Sequence, residues 1–402
     1  MYPRFLVWSC LFALLPACSD DTGDGSHDAS TAIDAPATGD GAAGCSPTPT
    51  TVTSPNAQPA PPTSDHSDVF AGRCGAAVGQ IFPPDAPWNQ SVRETCVDPR
   101  SDAIVQYLEA VVDGAQTFRI DMGAANEPYG FHPLLADDSV LERPFSPTGN
   151  FFPIACDEAE VPVPADGRLE GELDYQCASD GDCHLVVHDT SECLLFEMWK
   201  ADDPLGGFPG GCLAVWPTDD VDPELRGLSC TSADAAGLPI LPLLVTPGEL
   251  MRGEVRHALR FILPNTAVQR RVYVRPATHN PLSVNNHGEP AAGPAGTMPP
   301  PYGVRLRLRA DFDTSGMSPG ARMMADALKE YGMFHADGGN VTFIASNEHF
   351  SAANWSDPGI DLGPNDLRDA GLSWTDFEVV SNLDDVASMD DIDCTRTPLD
   401  EF

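Results

Sequence analysis

The chain has 402 residues, 39 prolines and a formal net charge of −38 at pH 7, with 60 acidic residues against 22 Lys and Arg. That balance argues against nucleic acid and against attachment to an anionic lipid surface by charge, since both select cationic faces. Strong acidity does attract divalent cations, so a structural Ca²⁺ fits the composition, although no EF-hand loop of the D-x-[DN]-x-[DN]-G type is present.

Residues 1–17 read as a signal peptide: Arg4 precedes an apolar run over 5–15, too short to span a bilayer. The run ends in Leu15-Pro16-Ala17-Cys18, which resembles a bacterial lipoprotein signal. Cys18 is then the lipidated residue and the membrane anchor, and Ser19 after it favours the outer membrane. Residues 18–67 are rich in Asp, Ala, Thr and Pro and hold almost no large apolar side chain. Such a segment cannot bury enough surface to offset its ordering entropy and reads as a disordered tether, reaching roughly 40 Å. Residues 68–402 form the expected extracellular domain. Setting aside Cys10 and Cys18 leaves ten cysteines, an even number that an exported chain pairs into as many as five disulfides. Cys45, inside the tether, is placed to pin it to the domain. Zinc is the competing reading, without a Cys-x-x-Cys or His-x-x-x-His pair to support it.

Within the domain, residues 83–89 read as an extended lead-in, and Ser101 caps a helix with Ile104, Val105, Leu108 and Val111 at helical spacing. Residues 118–180 suggest loops between short strands. Two apolar runs, 184–188 and 193–199, flank a polar link and predict a hairpin in which His188 faces Cys193 and His184 faces Glu197. One face of that hairpin is expected to be core, and the other to carry both histidines and Glu197. A strand at 212–216 follows. Thr246-Pro247-Gly248-Glu249 is a capping box that starts a short helix ended by Gly253. Strands are then expected over 257–263, 271–275, 304–310 and 341–345, with a helix capped by Ser318 and stopped by Gly332. The expected fold is mainly β, a sandwich or open barrel with a few helical insertions, stabilised by disulfides.

Gly316-Met317-Ser318-Pro319-Gly320 matches G-x-S-x-G, yet the residue after the serine must lend a backbone N–H to an oxyanion hole, and proline has none. Ser318 is better read as a helix cap. The remaining candidates are carboxylates and histidines at strand ends: His184, Glu197, Asp234, Glu254, His257, Asp311 and Asp337. Glycosidic-bond hydrolysis needs two carboxyl groups across a cleft, and a polysaccharide lyase needs a base and a neutralising group. Glu197 beside His184 leads, with Asp234, Glu254 and His257 as further catalytic candidates. The blander readings are a cross-strand pair for Glu197 and turn roles for Asp234 and Asp337. Arg305, Arg307 and Arg309 share one strand face, either to pair with surplus carboxylates or, with Asp337, to bind a uronate or sulfated sugar. Trp88, Trp199, Trp216 and Tyr302 are candidates to stack on sugar rings, against a default of core packing.

The segments at 232–240 (SADAAGLPI), 253–261 (GEVRHALRF), 305–312 (RLRLRADF) and 331–338 (YGMFHADG) resemble those of a family of secreted bacterial proteins, and Pro87-Trp88-Asn89 resembles its lead-in. The resemblance spans most of residues 80–380. It implies one extracellular domain and assigns no catalytic residue. Sequence alone therefore points to a surface lipoprotein that acts on carbohydrate as a glycoside hydrolase or polysaccharide lyase, or that binds glycan or protein without catalysis. No metal ligand set and no partner beyond the membrane anchor and a polysaccharide are expected.

Overall fold

A computed structural model describes residues 45–51 and 69–396, apart from 113–116, 123–129, 149–154, 179–180, 204–207, 222–225, 282–288, 341, 347–352, 382 and 390–393. Cys18, the signal and most of the tether lie outside these residues. Strands outnumber helices, and two four-stranded sheets organise the core. The first sheet contains β1 (Pro133–Ala136), β2 (His184–Asp189), β3 (Leu194–Trp199) and β4 (Cys212–Pro217), in the order β4-β3-β2-β1. The second contains β5 (Leu259–Leu263), β6 (Arg305–Leu308), β7 (Met333–Gly338) and β8 (Phe377–Val379), in the order β5-β7-β6-β8. Its β5 and β7 run parallel, with α3 (Pro319–Glu330) between β6 and β7 along the chain.

The β2–β3 hairpin forms, with a register two residues from the expected one: Val186 pairs with Glu197, His184 with Trp199 and Asp189 with Leu194. Asp189 stays in the strand because its Oδ1 accepts the N–H groups of Ser191 and Glu192, and Cys193 takes a left-handed turn conformation at φ 56°. A shift of two keeps the faces as predicted, with His184, His188 and Glu197 together. That face is nevertheless buried. Val186, Leu195, Ala214 and Trp216 join the main core, while Leu185, Val187, Phe196, Met198 and Leu213 face a second, smaller core. The sheet is sandwiched rather than half exposed.

Two of the three predicted caps hold. Thr246 and Glu249 satisfy one another's backbone N–H groups at the start of α2 (Pro247–Arg252), and Gly253 closes it at φ 91°. Ser318 accepts the Ala321 N–H at the start of α3 and donates to Asp366 at 2.7 Å, which accounts for its hydroxyl without a nucleophilic role. In α1 (Ser101–Val111), Ser101 is the first helical residue rather than the cap, and its hydroxyl accepts from the Val379 N–H. All ten available cysteines pair: Cys45–Cys96, Cys74–Cys193, Cys156–Cys212, Cys177–Cys183 and Cys230–Cys394. Cys45 is thus tied to Cys96, next to residues 87–95.

The arginine stripe is a correction. Arg305 and Arg307 share a face of β6, but that face is covered by residues 87–95. Arg305 donates to the carbonyls of Tyr331, Pro87 and Gln90, and Arg307 to those of Val92, Arg93 and Thr95 and to Glu378. Arg309, at the strand's end, pairs with Glu378 at 3.0 Å. These side chains are stitches holding the lead-in to the sheet, and no sugar-binding groove forms along them. Removing a buried charge's partner strands several groups at once, so Arg307→Met is expected to cost about 3–5 kcal/mol of unfolding free energy. Arg309→Met, at a half-exposed site, is expected to cost less than about 1 kcal/mol. Urea unfolding of the two variants checks the contrast, and equal costs would refute it.

Candidate active site

The parallel strands β5 and β7 end side by side, and open sheets bind ligands off the carboxyl ends of such strands. A cavity of about 440 Å³ opens there, lined by Asp182, His184, Trp199, Ser232, Asp234, Asn265, His279, Tyr302 and Asp337 among others. Three sequence candidates, His184, Asp234 and Asp337, therefore meet although they come from three separate stretches of chain.

Asp234 sits in a loop with little freedom. Ser232 Oγ accepts the Asp234 N–H at 2.9 Å and donates to the Leu238 carbonyl at 2.7 Å. Gly237 turns back at φ 74°, and a Cβ there would meet Thr278 Oγ1 at 2.1 Å. Thr278 in turn donates to the Cys230 carbonyl, and the Cys230–Cys394 disulfide anchors the start of the loop. The loop delivers one Asp234 oxygen, Oδ1, to Arg260 Nη2 at 2.8 Å. The other oxygen, Oδ2, is buried with no hydrogen-bond partner among the described residues. Burial pushes the Asp234 carboxyl up to about 8, against the pull of Arg260.

Arg260 is the hub. It is 2 % exposed near the start of β5, its guanidinium lies over the Phe131 ring at 5.2 Å, and Nη2 reaches Asp337 Oδ2 at 4.0 Å. Asp337 also accepts the Gly338 N–H; burial raises its carboxyl, although its side chain keeps 33 % exposure. The two carboxyl groups thus gather at one guanidinium nitrogen. His184 turns Nδ1 to Glu170 at 2.6 Å and Nε2 to the Ala233 carbonyl at 3.2 Å. Burial disfavours its charge, but the charge and hydrogen bond of Glu170 prevail and lift it to about 9. Burial raises the Glu170 carboxyl as well, so the pair shares a buried hydrogen bond, and with both ring nitrogens engaged His184 is not a free base. His279 directs Nδ1 to the Ala235 carbonyl at 2.8 Å, and burial lowers it to about 4. Tyr302 donates to Asn265 Oδ1 at 3.0 Å.

Other sequence candidates lie elsewhere. Glu197, the leading one, is wholly buried; it accepts from the backbone N–H groups of Ile240 and Leu241 at 2.8 Å each and from the Trp216 indole at 3.1 Å. It does not line the cavity, and its register partner is Val186 rather than His184. Glu254 is exposed and paired with Arg256 at 2.7 Å. His257 is buried between Phe70, stacked at 5.0 Å, and Glu249, at 2.9 Å from Nε2. Asp311 is exposed beyond the end of β6. Glu172, Cys177 and Cys183 lie close enough to suggest a metal group, but the two sulfurs are bonded to one another and offer no thiolate.

Sequence reasoning missed Arg260, Glu170, Asp182, Asn265 and His279. Arg260 had a legible signal, a charge inside the otherwise apolar run Leu259–Leu263, which demands buried carboxylates. Neither a known family model, nor a curated protein, nor a solved structure matches the chain.

The titrations here bear on stability. His184 holds its proton to about pH 9 against 6.5 unfolded, so its contribution is complete below 6.5 and is lost as pH rises through about 9. Asp234 holds its proton to about 8 against 3.8, so ionising it costs stability up to about pH 8. His188 and His279, lowered to about 4, and His335, lowered to about 3, act in the opposite sense, but only below pH 6.5. The melting temperature is therefore expected to fall from pH 6.5 to 9, with the slope up to pH 8 flattened in Asp234→Asn. A rise over that interval would contradict a protonated Asp234.

Proposed function

We propose that the chain is an exported, lipid-anchored enzyme that cleaves glycosidic bonds in the Asp234 cavity. The observation that carries the reading is Asp234, a residue that lines the cavity, whose buried Oδ2 has no hydrogen-bond partner among the described residues, in a carboxyl group that burial lifts to about 8. A general acid needs that arrangement: a held proton, pointed at nothing until substrate arrives. Asp234 Oδ2–H protonates the leaving glycosidic oxygen as its bond to the anomeric carbon breaks. Asp337, more exposed and beside Arg260, supplies the second carboxylate, attacking the anomeric carbon or taking the proton from an attacking water. Trp199, partly exposed at the cavity, offers a ring face for the sugar, whereas the Tyr302 ring is fully buried against His335. Export is supported by the lipobox at Cys18 and by the pairing of the ten remaining cysteines, which suits an oxidising compartment. Among the described residues no helix is long and apolar enough to cross a membrane.

A panel of polysaccharides assayed for released reducing ends tests the reaction. Asp234→Asn and Asp337→Asn are expected to lower turnover by about 100-fold or more, and Glu254→Gln to leave it unchanged. Product that persists in Asp234→Asn removes that residue from the chemistry, whereas binding without product moves the protein to a glycan-capturing role. The anomer formed first, read by NMR, distinguishes nucleophile from base at Asp337. For the anchor, Cys18→Ala is expected to abolish incorporation of labelled palmitate and release the protein from the membrane fraction.

A further inference from the structure

The sequence offered four aromatic candidates for sugar stacking, and the first cavity takes only Trp199 and Tyr302. Trp88 and Trp216 line a second cavity of about 450 Å³, with Phe82, Pro239 and Pro276 in its walls and Asp219 and Asp220 at its rim. Two stretches of chain serve both cavities. Residues 231–235 and His279 line the first, and residues 237–239 and Thr278 line the second.

The second cavity is built rather than incidental. Trp216, in β4, donates its indole N–H to Glu197, and the same carboxylate holds the N–H groups of Ile240 and Leu241. Glu197 thereby ties the tryptophan wall to the turn after Pro239. The Arg226 guanidinium lies over the Trp216 ring at 5.3 Å, with its terminal nitrogens engaged by Asp157 and the carbonyls of Ala155 and Thr231. Trp88 packs edge-on against Phe82 at 4.9 Å and is 7 % exposed. Its indole N–H has no acceptor among the described residues. A buried donor left unmet costs free energy that an entering acceptor recovers. The cavity thus combines aromatic and proline walls, an unmet donor buried in one of its wall residues, and exposed carboxylate acceptors at Asp219 and Asp220. Sugar rings present the complement, with apolar C–H faces, oxygens that accept and hydroxyls that donate.

We propose that the second cavity is a saccharide-binding site, holding a ring of the same glycan chain that the Asp234 cavity cuts, so that the substrate is a polymer rather than a single sugar. The cutting clause rests on the function proposed above; the binding clause does not. Tryptophan fluorescence of the Asp234→Asn chain, titrated with short and long xylo-, cello-, manno- and chito-oligosaccharides, measures binding apart from turnover. Long oligosaccharides are expected to bind, and adding Trp88→Phe, which keeps a ring and deletes the N–H, to weaken them by about five- to tenfold. In the chain with Asp234 intact, Trp88→Phe is expected to lower kcat/KM for long oligosaccharides and not for the shortest. Circular dichroism checks the fold, and the exposed pair Asp219→Asn and Asp220→Asn gives the same readout should Trp88→Phe fail to fold. Binding and length dependence unchanged in both variants, or no oligosaccharide bound at all, overturns the proposal. Cleavage that survives Asp234→Asn alongside Trp88-dependent binding overturns the acid role alone.

Discussion

The buried charge of Arg260 is the constraint on which the site depends. A guanidinium inside a core strand is tolerated only where carboxylates and hydrogen bonds replace its water. Its strand, β5, cannot shift without losing the parallel pairing to β7, so the carboxylates must come to it. Asp234 arrives on a loop held by Ser232, Gly237, Thr278 and the Cys230–Cys394 bridge, and Asp337 arrives at the end of β7. One cation thus gathers two acids that are far apart in the chain. Because it meets Asp234 through one oxygen, it leaves the other without a partner among the described residues, and burial raises that carboxyl.

Much of the fold was legible because local chemistry decided it. The capping box at Thr246, the Ser318 cap, the alternation at Arg305–Leu308 and the even cysteine count each rest on interactions within a few residues or on a simple count. The hairpin register was not legible, because it depends on the left-handed turn at Cys193 and on where Asp189 spends its oxygen. Disulfide partners were likewise beyond the sequence, being set by long-range packing.

The site was half legible for a related reason. Glu197 and Asp234 look alike in sequence, each an acid among apolar or small residues. Both are raised by burial, Glu197 to about 7 and Asp234 to about 8. Their difference lies in what meets the second oxygen. Both Glu197 oxygens receive donors, from two backbone N–H groups and an indole, while Asp234 has one oxygen met and one open. Only the tertiary arrangement separates a structural acid from one available to a ligand. The arginines of β6 make the same point: alternation placed them on one face, but residues 87–95 close over that face and turn it into interior.

That closure has a further consequence. The residues that Arg305 and Arg307 hold down include Pro87 and Gln90 on either side of Trp88, so the stripe that binds no ligand itself fixes one wall of the second cavity. Glu197 does the same for Trp216, which also lines that cavity. Charged groups that the sequence offered as chemistry thus act one layer behind it, spending their hydrogen bonds on backbone and indole so that two tryptophans stand in rigid positions. Rigid walls matter most where ligand contacts are individually weak, since little ordering entropy is then left for binding to offset.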